Sequence, residues 1–300
     1  MGRMEYGICL PNYPAGASAD GIDAAAEVAG RLDWSTVWTT DHVLVDRGSA
    51  GDYGRIFESM LTLAWVAARH PKLKLGTSIL VVPQRNAVVL AKELASLDAL
   101  SGGRVVAGVG VGWNETEFAN LGVTDRFRVR GAYLDETIRL WRHLWSGSGE
   151  PFRGRFHSIH DFAFGPLPVQ GDRLPVLVGG RSEQALARAG TLGDGYHSSA
   201  IGPDGFARRV PIVNAAAQKS GRSMSFSARV NVRLGQKGGT GYAMRGTPAA
   251  VAGQVQAFAA AGVTELALNF GKTDPRAVVD AAETFARDVV PLVGVTAPAR

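Results

Sequence analysis

The regular alternation of short apolar runs with amphipathic helical patterns constrains this chain most, because it extends over almost all of its 300 residues. Parallel strands need a crossover connection, usually a helix, so this alternation is typical of βαβ units. The predicted strands are residues 5–10, 36–39, 73–81, 104–108, 176–178, 195–198, 227–232 and 265–269. The predicted helices are residues 19–31, 57–69, 87–100, 130–144, 182–192, 203–218, 248–261 and 274–289.

Eight strands, each followed by a helix, make a (β/α)8 barrel, or TIM barrel, the economical α/β architecture for this chain. A doubly wound sheet is the alternative. We expect one barrel domain over residues 1–292 and a loose C-terminal tail over 293–300. Two long loops depart from a minimal barrel: an insertion loop after strand 4 and its helix, 146–174, and the glycine-rich segment 235–246. Loops of this kind are often functional lids, and a variable surface excursion is the alternative.

The composition narrows the class of protein. The chain is 46% hydrophobic and 20% charged, which is typical of a soluble globular protein. It has no apolar stretch long enough to span a bilayer and no secretory leader, so we expect a cytoplasmic protein without a membrane partner. The net charge of +5 is moderate and no basic run is interleaved with aromatic residues, so no nucleic-acid partner is expected. Cys9, the only cysteine, is expected to be a small core residue, and no metal-ligand spacing predicts a metal site.

Glycines occupy every second position at the end of the fourth predicted strand: Gly108, Gly110 and Gly112. A glycine inside a strand leaves no side chain to pack, so this ladder predicts close approach of a ligand or of another backbone. The third glycine is one place out of register for a dinucleotide fingerprint, which argues against that type of site. Ligand sites of α/β folds lie at the carboxyl ends of the strands, although a tight turn without a ligand remains the alternative.

Asp41 and His42 follow the second predicted strand. At this end of a barrel strand the pair indicates a proton-transfer group with an orienting carboxylate. The alternative is a helix cap beside a histidine that has only a structural role. Thr77 and Ser78 are the hydroxyl residues of the apolar third strand, where they would bind either a polar ring edge or neighbouring backbone.

The segment Gly179-Gly180-Arg181-Ser182 lies between the fifth strand and an alanine-rich helix. Free backbone amides and the helix dipole both favour an anion at such a helix start, so the segment predicts a phosphate site. A capped helix preceded by a glycine turn is the alternative.

A long ordered series of motifs resembles the luciferase-like monooxygenase superfamily, and within it the group of oxidoreductases that use the deazaflavin coenzyme F420. The resemblance covers roughly residues 5 to 290, and its most specific segments are 37–42, 77–85, 97–104, 112–115 and 192–195. It implies a (β/α)8 barrel with a flavin or deazaflavin across the carboxyl-terminal mouth, and a cis peptide at Ser78-Ile79 that forms a bulge behind the ring.

The resemblance also implies roles for individual residues. His42 would face the reactive ring edge with Asp41 beside it, Asn114 would lie near the ribityl chain or phosphate, and the segment 179–182 would hold the phosphate. The cofactor-binding residues that it implies are Thr77, Ser78, Ile79, Gly108, Gly110, Val111, Gly112, Trp113, Asn114, Gly179, Gly180, Arg181 and Ser182.

The chain departs from the F420-dependent sugar-phosphate dehydrogenases of this superfamily at one informative position. Those enzymes carry a glutamate where this chain has Val111, so that substrate class is disfavoured. Glu115 is a candidate substitute for the missing acid, and the predicted catalytic residues are therefore His42, Asp41 and Glu115.

The expected function is hydride transfer between C5 of coenzyme F420 and a small organic substrate, in a homodimer. Arg181, Lys237 and Lys272 would meet the acidic parts of F420. The first alternative is a monooxygenase that uses O2 and reduced FMN, in which case a separate reductase supplies the reduced cofactor. Two alternatives outside redox chemistry also stay open. One is an aldolase or isomerase barrel that binds a phosphorylated ligand, with Lys272 as a candidate imine-forming residue. The other is a flavin-storage protein.

Overall fold

A ring of parallel strands forms the centre of the structure, a computed structural model that describes residues 4–294. In chain order the strands of the described residues are β1 (Glu5–Cys9), β2 (Thr36–Thr39), β3 (Lys74–Thr77), β4 (Leu80–Val81), β5 (Val105–Gly110), β6 (Phe152–Arg153), β7 (Ser158–Ile159), β8 (Val176–Val178), β9 (Gly195–Ser199), β10 (Ser225–Leu234), β11 (Met244–Gly246) and β12 (Glu265–Asn269).

The ring is closed on both sides of the first strand. β1 pairs in parallel with β2 and with β12, and the order continues through β3, β5, β8, β9 and β10 back to β12. β4 continues β3 after a two-residue interruption and pairs with the end of β5. This closure confirms the (β/α)8 barrel and excludes the doubly wound sheet, which has two open edges.

Helices surround the barrel. Within the described residues they are α1 (Ala19–Arg31), α2 (Ala50–Tyr53), α3 (Ser59–Arg69), α4 (Ala87–Ser101), α5 (Glu115–Asn120), α6 (Thr124–Phe127), α7 (Arg130–Trp145), α8 (Glu183–Leu192), α9 (Pro203–Ala207), α10 (Val210–Lys219), α11 (Pro248–Ala260) and α12 (Pro275–Asp288). The predicted helix 203–218 is two helices, because Pro211 lies in the first turn of α10 and has no N–H for a continuous helix.

The core lies between the barrel and its helices. Trp141 and Trp145 of α7 are fully buried there, and their indole N–H groups donate to Ala87 O and Ala91 O of α4. Cys9 is also buried, as expected, and burial raises the pKa of its thiol to about 11. Among the helices of residues 4–294, none has the length and apolar character that a bilayer crossing requires.

Both long loops carry some regular structure. In the insertion 146–174, β6 and β7 form an antiparallel hairpin, and the Glu136 carboxylate of α7 accepts three backbone N–H bonds from residues 155–157. In the segment 235–246, β11 pairs in parallel with β10. Of the predicted tail 293–300, Val293 packs against the core, and residues 295–300 lie outside the described residues.

Candidate active site

A cavity of about 650 Å³ opens at the carboxyl ends of the barrel strands. Its walls include most of the residues predicted for the site, namely Asp41, His42, Ser78, Ile79, Gly110, Val111, Gly112, Trp113, Gly179, Gly180 and Arg181. Residues that the sequence did not indicate also contribute, among them Tyr13, Tyr53, His197, Arg229, Asn231 and Asn269. The strand ends of this fold therefore assemble one mixed polar and aromatic pocket.

The glycine ladder makes room for the neighbouring strand. A Cβ atom on Gly108 would overlap the carbonyl oxygen of Thr77, and one on Gly110 would overlap Cδ1 of Ile79. Gly112 has a φ of +74°, which side chains other than glycine rarely adopt. The close approach predicted from the sequence is thus that of the β3–β4 segment, through the Thr77 carbonyl and the Ile79 side chain. Gly110 and Gly112 also line the cavity.

Replacing Gly108 by alanine is expected to lower the free energy of unfolding by about 3 kcal/mol, because a backbone carbonyl cannot move away as a flexible side chain can. Gly253 is the matched control: it lies inside α11, and nothing lies within 4 Å of an added Cβ. Gly253→Ala should stabilise the protein by about 0.5–1 kcal/mol. Urea unfolding of both variants measures the difference, and equal stabilities would refute the packing that we describe.

The segment between β3 and β4 is a bulge with a cis peptide bond at Ser78-Ile79, as the resemblance implies. Three polar atoms of Ser78 are fixed. Its N–H donates to Thr39 O at 2.7 Å, its Oγ lies 2.8 Å from His197 Nε2, and its carbonyl accepts from Arg229 Nη1 at 3.0 Å. The bulge is therefore a rigid part of the cavity wall.

His197 has a structural role beneath this bulge. Its second ring nitrogen, Nδ1, lies 2.7 Å from Ser227 Oγ, and its ring stacks on Trp38 at a centroid distance of 4.6 Å. Burial, together with the nearby charge of Arg229, lowers the pKa of His197 to about 3. A neutral imidazole with both nitrogens bonded positions Ser78 and is not a proton donor at neutral pH.

His42 contacts a carboxylate that lies 75 residues away in the sequence. Its Nδ1 is 2.9 Å from Oε2 of Glu117, a buried residue of α5. The same carboxylate accepts from the backbone N–H groups of Val43 and Leu44 and from Gln84 Nε2. Glu117 therefore fixes both the histidine ring and the backbone that follows it.

The ionisation of Glu117 determines which nitrogen of His42 carries the proton. Burial raises the pKa of Glu117, but the hydrogen bonds from His42, Val43 and Gln84 outweigh it and lower the pKa to about 2. A carboxylate only accepts hydrogen bonds, so Nδ1 of His42 must donate. Nε2 then has a lone pair in neutral histidine, and it has no protein partner among residues 4–294.

Asp41 does not orient His42. Its carboxylate accepts from Arg85 Nη2 at 2.6 Å and from the backbone N–H of Val81 at 2.8 Å. Arg85 also pairs with Glu58, and although burial lowers the pKa of Arg85, Asp41 and Glu58 raise it overall. Asp41 lines the cavity as expected, but the carboxylate that contacts His42 is that of Glu117, and not that of Asp41 as the sequence predicts.

Five other predicted residues do not line the cavity. Thr77 Oγ1 donates to Gly108 O, so its hydroxyl binds neighbouring backbone, and Gly108 itself faces the β3 backbone. Asn114 and Ser182 cap α5 and α8, and Asn114 Nδ2 also donates to Asp46. Glu115 is exposed at the start of α5, so it does not replace the acid missing at Val111.

The predicted phosphate turn forms one side of the cavity. Gly179 is buried, Gly180 has a φ of +138°, and the exposed Arg181 precedes Ser182 at the start of α8. The carbonyl of Gly180 accepts from Tyr196 Oη, which in turn accepts from Arg209 Nη1. Lys237 and Lys272 are exposed and do not line the cavity, which gives no support to an imine-forming lysine.

The sequence model of one protein family, described as luciferase-like monooxygenase, matches residues 4–237 of this chain. The chain belongs to the luciferase-like monooxygenase family. The F420-dependent glucose-6-phosphate dehydrogenase of Kineococcus radiotolerans is 33% identical over 225 residues, which cover 74% of this chain and 64% of that one. This luciferase-like chain thus spans less than two thirds of that relative's length.

Solved structures of similar fold include an enzyme named as F420-dependent and an enzyme in complex with FMN. The F420-dependent tetrahydromethanopterin reductase from Methanopyrus kandleri aligns with a TM-score of 0.78 at 18% identity, over 97% of this chain and 99% of that one. The oxygenating constituent of 3,6-diketocamphane monooxygenase from Pseudomonas putida, solved with FMN, aligns with a TM-score of 0.79 at 15% identity, over 98% and 100% of the two chains. At these sequence identities the similarity shows a common fold and does not show a common activity.

Proposed function

We propose that the protein is an F420-dependent oxidoreductase that transfers a hydride between C5 of the deazaflavin and a small organic substrate. The observation that carries this proposal is the pair His42 and Glu117: the carboxylate holds Nδ1 of a histidine that lines a cavity walled by the Ser78-Ile79 bulge. The name of the Kineococcus relative supports F420 as the cofactor.

The residues that line the cavity fit such a cofactor. A volume of about 650 Å³ lies in the usual range for small-molecule sites. The turn of Gly179, Gly180 and Arg181 before α8 would hold the phosphate through the helix dipole and the Arg181 guanidinium, since both attract an anion. The N–H of Gly179 is not available to the phosphate, because it donates to Val109 O at 2.8 Å. The bulge at Ser78-Ile79 would support the ring. When bound, the deazaflavin would supply a two-electron hydride carrier.

His42 would manage the proton that accompanies the hydride. With Nδ1 held by Glu117, neutral His42 accepts a proton at Nε2 from a substrate hydroxyl when an alcohol is oxidised. In the opposite direction the protonated ring donates the same proton to a carbonyl oxygen. The Glu117 carboxylate stabilises the cationic ring in both directions, as an orienting carboxylate does in other acid–base pairs.

The sugar phosphate named for the Kineococcus relative is not the substrate that we propose. Val111 lines the cavity where the resemblance would require a glutamate, and Glu115 is exposed outside it. The proposed substrate is instead a small alcohol or carbonyl compound.

Replacing Arg181 by glutamine is expected to weaken F420 binding about tenfold, because a charge-assisted contact to the phosphate is lost. The affinity for a deazaflavin without the phosphate should change less than twofold. Fluorescence titration of both ligands tests this. Equal losses for the two ligands would place the phosphate elsewhere.

Titration of the protein with F420 and with FMN, each oxidised and reduced, tests the proposed cofactor directly. We expect F420 to bind at least tenfold more tightly than FMN in one or both redox states. Tight binding of reduced FMN without binding of F420 would instead favour the monooxygenase that uses O2 and a partner reductase. Binding of F420 without turnover of any alcohol or carbonyl compound would favour a storage protein.

A further inference from the structure

One wall of the cavity carries an unusual charge. Every second residue of β10 points to the same face of the strand, so the side chains of Arg229, Asn231 and Arg233 lie on one face. It is the face of Ser227, whose Oγ contacts His197 inside the barrel. Arg229 and Asn231 line the cavity, as does Asn269 on the adjacent β12. Arg233 Nη1 donates to the carbonyl of Asn269 and therefore lies beside them. We call these four residues the β10 wall.

Neither arginine of the β10 wall has a carboxylate partner within 4 Å among the described residues. Arg229 donates only to neutral groups: Thr40 Oγ1, the carbonyl of Ser78 and Tyr13 Oη. Tyr53 does not supply a negative charge, because burial raises the pKa of its phenol. A partly buried cation without a counter-ion is costly, so its presence calls for a ligand that supplies one.

The free donors of Arg229 have a geometry that selects the ligand. Its three hydrogen bonds use both N–H groups of Nη1 and one of Nη2, which leaves Nε–H and one Nη2–H without an acceptor in residues 4–294. Nε and Nη2 are the two atoms with which Arg85 holds the carboxylate of Asp41 in this same protein. A guanidinium edge that presents Nε–H and an Nη2–H side by side fits the two oxygens of a planar carboxylate.

We propose that the β10 wall recognises a carboxylate on the substrate, so that the substrate is a small organic acid that also carries the alcohol or carbonyl group. This inference rests on the proposed oxidoreductase function. Arg181 would meet the phosphate of the cofactor at the α8 turn, which leaves Arg229 for the second ligand. Asn231 adds an amide group for the same oxygens or a neighbouring hydroxyl. Asn269 accepts from the Gly271 N–H and donates to Tyr13 Oη, so it has one remaining Nδ2 N–H for the ligand.

Benzoate and its neutral isostere benzamide serve as probes, and calorimetry measures their binding to cofactor-free protein and to protein saturated with F420. We expect benzoate to bind at least tenfold more tightly than benzamide in both states. Asn231→Asp, which keeps the side-chain size and places a carboxylate between the two arginines, should abolish that preference. Asn214→Asp, the same change at an exposed position of α10, should retain it.

Arg233→Gln provides a second variant if Asn231→Asp does not fold, and it should weaken benzoate at least threefold without changing benzamide. Equal affinities of the two probes in the wild-type protein, or an unchanged preference in the folded variants, would overturn the proposal. The proposal is also overturned if F420 displaces benzoate and Asn231→Asp loses F420 affinity tenfold, because the β10 wall would then bind the cofactor and not the substrate. If F420 fails to bind while cofactor-free protein still prefers benzoate, the proposed function fails and the carboxylate site stands.

Discussion

Replacing His42 by alanine is expected to lower the rate of hydride transfer about 10²- to 10⁴-fold, the usual contribution of a positioned acid–base group. The physical reason is that Nε2, the ring nitrogen that does not contact Glu117, is the atom that we propose exchanges the proton. The affinity for F420 should stay within about threefold, since the proposed phosphate contacts lie at another side of the cavity. Stopped-flow absorbance of F420 at saturating substrate measures the rate, and fluorescence measures the affinity.

His160→Ala is the matched control, because His160 is exposed in the insertion and does not line the cavity. Its rate should equal that of the wild-type protein. A rate for His42→Ala within threefold of wild type would remove His42 from the mechanism and leave the proton transfer to solvent.

Removing the carboxylate of Glu117 has the second large expected effect. Glu117→Ala leaves the donors at His42, Val43, Leu44 and Gln84 without their acceptor, so the free energy of unfolding should fall by about 3–5 kcal/mol. Glu117→Gln keeps the size but presents an amide, and we expect a 10- to 100-fold loss of rate because the proton on Nδ1 is no longer fixed.

The same carboxylate predicts a pH dependence of stability. The pKa of Glu117 is lowered from 4.5 to about 2, so the charged form stabilises the fold above pH 4.5 and this contribution is lost as the pH falls through about 2. The difference in unfolding free energy between wild type and Glu117→Gln should therefore shrink by about 3 kcal/mol between pH 5 and pH 2. Glu150→Gln, at an exposed loop position, should show no such change. Urea unfolding at both pH values measures it, and a pH-independent difference would contradict the assigned ionisation.

The sequence predicts the barrel well because its strands are continuous apolar runs. The predicted strand 36–39 and helix 19–31 coincide with β2 and α1. The short helices α2, α5 and α6 were not predicted, since segments of four to six residues are too short to have a visible helical period.

The site was predicted less completely, for a physical reason. Adjacency in sequence suggested Asp41 as the partner of His42, whereas the fold brings Glu117 to His42 from another loop of the barrel. Contacts between separate strand ends cannot be read from one sequence. One signal was available at Arg229, a charged residue between the apolar Ala228 and Val230 of a predicted strand.

Transfer of deuterium from reduced F420 labelled at C5 tests the central claim most directly. The protein is incubated with labelled F420 and a panel of small ketones, aldehydes and oxo acids, and mass spectrometry locates the label. Our account predicts deuterium on the former carbonyl carbon of an oxo acid with the wild-type protein, and at least a 100-fold slower appearance with His42→Ala. Absence of label from every product, together with O2-dependent oxygenation in the presence of reduced FMN, would contradict it.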